Sequence, residues 1–114
     1  MNSIIERLKD WGCDTAGAME RMADDESFYI ECLHDVAEDA CFDTLKEALA
    51  AGDLSKAFDA AHALKGVLAN VGLTPIYNKI TEIVEPLRSG STAGLPLRLS
   101  QLFELRAKLI AILS

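Results

Sequence analysis

Apolar residues recur every three to four positions along most of the chain, the spacing typical of amphipathic helices. The alternation of apolar and polar positions that a half-buried strand requires is absent. Four long periodic segments are separated by short stretches with glycine or proline, and we predict helices over about 26–51, 54–71, 74–88 and 97–113. Short connections force consecutive helices to run antiparallel, so the pattern predicts an all-α, antiparallel up-down four-helix bundle.

Local signals predict where the helices begin and end. Two short helices should precede the bundle, one over about 3–11 and one ending near Met22. The expected N-caps share a short oxygen-bearing side chain and are Ser3, Asp14 or Thr15, Asp53 and Thr74. Gly52 and Gly72 are the expected stops. We also expect a kink or break near Ala40 to Asp43 within the longest segment, and Pro86 is expected to end or bend the helix over 74–88.

The helix over 54–71 carries a histidine away from its apolar face. On a helical wheel, one apolar arc comprises Leu54, Ala57, Phe58, Ala61, Leu64, Leu68 and Val71. His62 lies roughly 120° from the centre of that arc, which predicts an exposed flank position. Gly66 and Asn70 follow on the same side, with Asp59 and Lys65 nearby.

This arrangement favours phosphoryl chemistry at His62. The neutral form of a solvent-exposed imidazole is a nucleophile. Gly66 removes side-chain bulk one turn away, at a helix cost of about 1 kcal/mol relative to alanine, and Lys65 supplies a cation for phosphoryl oxygens. His34 lies among acids without a comparable glycine or lysine, so we assign it no special role.

The charge balance narrows the classes of partner. The formal net charge is −7 and the pI is about 4.7, which argues against binding nucleic acid or an anionic membrane surface. No apolar run approaches the ~18 residues of a membrane span. Residues 1–12 mix acids with apolar residues and do not read as a signal peptide, so we expect a cytoplasmic protein.

Neither cysteine pairing nor a metal centre is expected from the residue pattern. The three cysteines, Cys13, Cys32 and Cys41, show no C-x-x-C spacing and are expected to be reduced, small hydrophobic side chains. A di-metal bundle site needs two Glu-x-x-His pairs. Glu31 and His34 form one such pair, but His62 follows Asp59 instead, so no metal ligands are predicted.

The segment "AAHALKGVLANVGL" closely resembles the H-x-L-K-G signature of histidine-containing phosphotransfer (HPt) domains. The upstream stretch "MERMADDESFYIECLHDVAEDACFDTLKEALAAGD" is also similar to the helix and turn that precede the signature in this family. The resemblance extends over nearly the whole chain and implies one HPt-like domain over 1–114. The start Met and the complete set of bundle helices favour a free-standing protein.

The resemblance implies that His62 is the phospho-acceptor, that Lys65 stabilises the phosphoryl group and that Gly66 leaves room for it. HPt domains exchange the group with an aspartate of a response-regulator receiver domain, downstream of a histidine kinase or hybrid kinase. The receiver supplies Mg²⁺, so no cofactor of the chain's own is expected. The sequence has no P-loop or kinase-like glycine-rich loop, which fits a phosphohistidine carrier in a phosphorelay without kinase activity. We expect a monomer.

The surface around His62 should meet the receiver through Asp59, Ala63, Val67 and Asn70. Ile4, Ile5 and Leu8 would extend an apolar rim there if the first helix packs near His62.

One departure from the family pattern concerns the ring of His62. Many HPt domains place a Gln or Glu on the following helix, where it hydrogen-bonds the imidazole, and the alignment puts Val84 at that position. Glu82 and Glu85 are the nearest acids to substitute for it. The departure keeps an alternative open, in which an HPt-like module binds a receiver domain without being phosphorylated.

Overall fold

The computed structural model describes residues 3–114, and seven α-helices lie within them. They are α1 (Ser3–Asp10), α2 (Thr15–Arg21), α3 (Glu26–Ala37), α4 (Cys41–Ala51), α5 (Leu54–Asn70), α6 (Thr74–Arg88) and α7 (Leu95–Leu113). No β-strand occurs in this part of the chain. The predicted all-α class is confirmed.

The helices form one antiparallel bundle in which α3 and α4 together take the place of the fourth helix. α4 packs against α5, α5 against α6, and α6 against α7, while α3 packs against α7 on the far side. The two short N-terminal helices flank this bundle, α1 against α7 and α2, and α2 against α3. The core between the helices is apolar, and its fully buried side chains include Leu33, Phe42, Leu45, Leu64, Leu68, Ile76, Ile80, Ile83 and Leu102.

The segment predicted as one helix over 26–51 is two helices separated by residues 38–40. The break begins just before the predicted position near Ala40 to Asp43. There the carboxylate of Asp39 accepts a hydrogen bond from the backbone N–H of Cys41 at 2.8 Å, in the turn that leads into α4. On the other side of the break, the guanidinium of Arg106 donates to the carbonyl of Ala37 at 2.7 Å.

Aspartate side chains form three of the helix caps. The carboxylates of Asp14, Asp25 and Asp53 each accept the backbone N–H three residues further on, at 3.0–3.1 Å. Each bond satisfies one of the donors that a helix start leaves without an intrahelical partner. The caps predicted at Asp14 and Asp53 are confirmed.

Three of the predicted helix starts, and the end expected at Pro86, need correction. α1 already includes Ser3, and Leu73 rather than Thr74 occupies the cap position of α6, so Thr74 is its first helical residue. α7 begins at Leu95, earlier than predicted, because Pro96 fits the first turn of a helix, where a backbone N–H is not needed. Pro86 lies inside α6 and does not end it, since the helix continues to Arg88, the predicted end of the segment over 74–88.

None of the helices in residues 3–114 combines the length and the apolar character that crossing a membrane requires.

The C-terminal end of α5 is fixed by side chains from α2 and α3. Arg21 donates from Nε to the carbonyl of Asn70 and from Nη2 to that of Ala69, both at 3.0 Å. The hydroxyl of Tyr29 donates to the carbonyl of Val71 at 2.8 Å in a buried position. We call these three hydrogen bonds the α5 anchor. They satisfy carbonyls that the end of a helix leaves without intrahelical partners.

Gly72 follows the C-terminal end of α5, and no side chain fits at its position. Its φ of +69° is a conformation that glycine adopts without strain. A Cβ at this position would also overlap the backbone carbonyl of Asp14. The close approach allows the N–H of Asp14 to donate to the carbonyl of Gly72 at 2.8 Å, which ties the start of α2 to the end of α5.

We predict that Tyr29→Phe lowers the free energy of unfolding by about 1–3 kcal/mol, because it leaves the buried carbonyl of Val71 without a partner. Urea denaturation followed by circular dichroism measures the change. Tyr77→Phe is the matched control, since the hydroxyl of Tyr77 makes no hydrogen bond within residues 3–114 and its loss should change stability by less than about 0.5 kcal/mol. Equal stabilities of Tyr29→Phe and the wild type would contradict the role of the anchor.

Candidate functional site

His62 lies in the middle of α5, on the side that faces solvent. The opposite side of the helix is buried against the bundle through Ala57, Ala61, Leu64 and Leu68. Leu54 and Phe58 were predicted within that apolar arc, but they are only half-buried and lie at its edge. The wheel therefore placed His62 correctly and Phe58 too deep.

The residues predicted around His62 are distributed over two faces of α5. Asp59, Ala63, Gly66 and Asn70 are exposed, while Lys65 and Val67 are half-buried. The spacing of four residues brings His62, Gly66 and Asn70 into one line along the helix. Lys65 instead turns toward α6, as its contacts show.

Gly66 has no structural reason to be glycine. It is helical with a negative φ, and a Cβ built on it would meet no atom within 4 Å. Side chains on a helix lean toward its N-terminus, so a larger residue at position 66 would lean over His62. The absence of a side chain at Gly66 is therefore what leaves the imidazole uncovered on its C-terminal side.

Lys65 is held loosely between two residues of α6. Its ammonium Nζ lies 3.9 Å from Oε1 of Glu85 and 6.0 Å from the ring centroid of Tyr77. The Lys65 side chain is 26% exposed and that of Glu85 is 55% exposed. An ion pair of this length and exposure contributes at most about 1 kcal/mol, so the ammonium can change partner at low cost.

The ring of His62 stacks on the ring of Phe58, one turn earlier in α5. The centroids are 5.7 Å apart and the planes are inclined by 22°. The guanidinium carbon of Arg88, from α6, lies 5.4 Å from the centroid of Phe58. Within residues 3–114 the imidazole makes no hydrogen bond. Sequence reasoning missed this contact, although an aromatic residue four positions before a histidine on a helix is a signal for it.

None of the α6 residues considered as ring partners hydrogen-bonds His62 within residues 3–114. Val84 is fully buried in the core, and its apolar side chain has no hydrogen-bonding group to offer the imidazole. Glu82 pairs with Lys79 at 3.1 Å and with Arg98 at 3.8 Å. Glu85 pairs with Lys65, and its other oxygen lies 3.6 Å from Nε of Arg88.

The apolar rim from the first helix was expected only if that helix packed near His62, and the main contacts of α1 are with α7 and α2 instead. Leu8 has no exposed surface, since α1 packs with this face against α7 and α2. Ile4 and Ile5 are partly buried against the same core. Val67 remains as the half-buried apolar residue next to Gly66 on α5 itself.

The three cysteines are free thiols in the structure. Burial raises the pKa of Cys13 to about 11 and also raises the pKa values of Cys32 and Cys41 above the usual value of 9.0. All three thiols are therefore protonated near pH 7, and a protonated thiol is a poor nucleophile. Among residues 3–114, no three His, Cys, Asp or Glu side chains are grouped so that they could hold a metal ion.

We predict that Gly66→Ala raises the free energy of unfolding by about 0.5–1 kcal/mol, because alanine is the better helix former and its methyl group meets no neighbour. Gly72→Ala is the matched comparison and should destabilise the protein, since position 72 has a positive φ and no room for Cβ. Urea denaturation of both variants measures the difference. Destabilisation by Gly66→Ala would mean that the fold, and not access to His62, requires this glycine.

Comparison with known protein families gives a match to one family model. The model of the Hpt domain matches residues 28–113, from the first turn of α3 to the end of α7. Neither the curated proteins nor the solved structures gave a match. α1 and α2, including Arg21 of the α5 anchor, precede the matched range. The match covers well over half of the chain and includes the whole helix that carries His62, and the chain therefore belongs to the Hpt domain family, the phosphocarrier modules of two-component signalling.

Proposed function

We propose that His62 accepts a phosphoryl group from an aspartate of a response-regulator receiver domain and donates it to another. The observation that carries the proposal is the exposed imidazole next to a helical glycine that the fold does not require. Membership of the Hpt family supports the same reaction class. In this proposal the chain is a phosphohistidine carrier that is charged from a histidine kinase or hybrid kinase and has no kinase activity of its own.

The reaction is an in-line displacement at phosphorus. The unprotonated ring nitrogen of His62 attacks the phosphoryl group of the aspartyl phosphate, and an N–P bond forms as the P–O bond to the aspartate breaks. The aspartate leaves as a carboxylate with the electron pair of that bond. The second ring nitrogen keeps its proton, so the phosphorylated ring carries a positive charge. The reverse reaction returns the group to a receiver aspartate.

Lys65 contributes charge to this exchange. Lys65 follows His62 by three residues, about one turn of α5, and its ammonium is held by a weak pair with Glu85. A phosphoryl group carries more negative charge than a single carboxylate, so Lys65 exchanges Glu85 for phosphoryl oxygens when the group arrives. Glu85 then retains Arg88 as a partner, because its other oxygen already faces that guanidinium.

The exposed surface around His62 is proposed as the contact area for the receiver. Asp59, Ala63 and Asn70 lie on it in the open, and Val67 adds apolar surface beside Gly66. Small side chains at 63 and 66 allow another domain to approach the backbone of α5 closely. The Mg²⁺ ion used in the transfer belongs to the receiver, and the carrier provides position and charge.

A receiver-binding module without phosphorylation is the alternative function. The observation that favours it is that the His62 ring has no hydrogen bond within residues 3–114. This alternative predicts that His62→Ala binds a receiver domain as tightly as the wild type does and that neither protein accepts a phosphoryl group.

We predict that a phosphorylated receiver domain labels the wild type and His34→Gln but does not label His62→Gln. The label should be acid-labile and alkali-stable, as a phosphoramidate is. Incubation with a panel of receiver domains charged by acetyl phosphate, followed by gel electrophoresis, measures the transfer. His34→Gln is the matched control because His34 is also an exposed helical histidine. Labelling of His62→Gln, or no labelling of the wild type by any receiver, would refute the proposal.

We predict that Gly66→Leu folds with wild-type helicity and that its rate of phosphoryl acceptance falls roughly tenfold to a hundredfold, because the leucine leans over the imidazole and displaces the incoming group. Ala111→Leu places the same side chain on an exposed position of α7 and serves as the control, with an unchanged rate. Circular dichroism checks the fold, and the same labelling reaction in a time course measures the rate. An unchanged rate in Gly66→Leu would contradict the access role.

A further inference from the structure

We infer that Phe58 is a positioning residue for His62 and replaces the hydrogen bond from the following helix with an aromatic stack. The inference rests on the proposed function, since it concerns how the same ring is presented for phosphorylation. Its basis is the Phe58–His62 stack, at 5.7 Å between centroids and 22° between planes. No other ring contact and no hydrogen bond hold the imidazole within residues 3–114.

The direction of helical side chains explains why Phe58 can do this. Because side chains lean toward the helix N-terminus, His62 leans over the residue four positions earlier, which is Phe58. Phe58 is itself half-buried, in a surface groove that it lines together with Leu54, Leu87 and Arg88. The Phe58 ring, against which His62 stacks, is therefore held on one side by the bundle.

Arg88, from the neighbouring helix α6, also contacts the Phe58 ring. Its guanidinium lies 5.4 Å from the centroid of Phe58, and its Nε lies 3.6 Å from the carboxylate of Glu85. Glu85 also pairs with Lys65. The carboxylate of Glu85 thus contacts Lys65 directly and is connected to the Phe58 ring through Arg88.

A stack suits a nucleophile better than a hydrogen bond does in one respect. The ring nitrogens of histidine lie at the edge of the imidazole, while stacking uses its face. Phe58 therefore restricts the plane of the ring and leaves both nitrogens free, one to attack and one to keep its proton. The face of an aromatic ring also attracts a cation within about 6 Å, and the imidazole becomes cationic as the N–P bond forms.

The test uses Phe58→Leu, which keeps an apolar side chain of similar size and removes the aromatic face. We expect the maximal rate of phosphoryl acceptance to fall roughly tenfold, with little change in the receiver concentration that gives half of this rate. Phe58→Tyr restores the ring and should restore the rate. Phe103→Leu removes another half-buried phenylalanine, on α7, and should leave the rate unchanged. A lower free energy of unfolding alone would not reduce the maximal rate while leaving the half-saturating receiver concentration unchanged, and it would not explain the rescue by tyrosine.

Nuclear magnetic resonance tests the same inference without phosphorylation. In the wild type we expect nuclear Overhauser contacts between the ring protons of Phe58 and His62, and an upfield shift of the His62 ring protons that Phe58→Leu abolishes. Absence of these contacts in the wild type would overturn the inference, as would a wild-type rate in Phe58→Leu. Failure of the proposed function looks different, because the wild type then accepts no phosphoryl group while the ring contacts persist.

Discussion

The hydrogen bonds that Arg21 and Tyr29 donate to the C-terminal carbonyls of α5 are the interaction on which the site depends. A helix end is its least constrained part, because its last carbonyls lack partners within the helix. Here three consecutive carbonyls are bonded to residues from two other helices, and the glycine that follows is tied to Asp14. The position of α5 along its axis is therefore set, and with it the position of His62 roughly two turns upstream.

The anchoring explains how one helix can be both buried and reactive. Apolar residues such as Leu64 and Leu68 hold its inner face, and polar bonds hold its end, so nothing on its outer face needs to contribute to stability. That face is free to carry the small and polar residues around His62. The N-terminal helices belong to this arrangement, because Arg21 comes from α2, which precedes the range that the Hpt family model matches.

Features with a local cause could be predicted from the sequence, and those with a distant cause could not. The caps at Asp14 and Asp53 depend on N–H groups three residues away, and the exposure of His62 depends on the wheel of a single helix. The break after Ala37 is stabilised by Arg106, 69 residues later, which no local pattern shows. The Phe58–His62 stack was missed because the wheel assigns Phe58 to the core, whereas its surroundings also depend on Arg88 of α6.

Phe58 and Gly66 lie four residues before and after His62. They have opposite roles because side chains on a helix lean toward its N-terminus. Leaning toward the N-terminus, the imidazole rests on Phe58, and a side chain at position 66 would rest on the imidazole in turn. An aromatic ring is therefore useful at 58 and no side chain at all is useful at 66. This asymmetry leaves the approach to His62 open from the side of Gly66 and Asn70, while Lys65 faces α6 one turn further along the helix. The His62 ring therefore does not need a hydrogen bond from α6, since Phe58 on the same helix supports it by stacking.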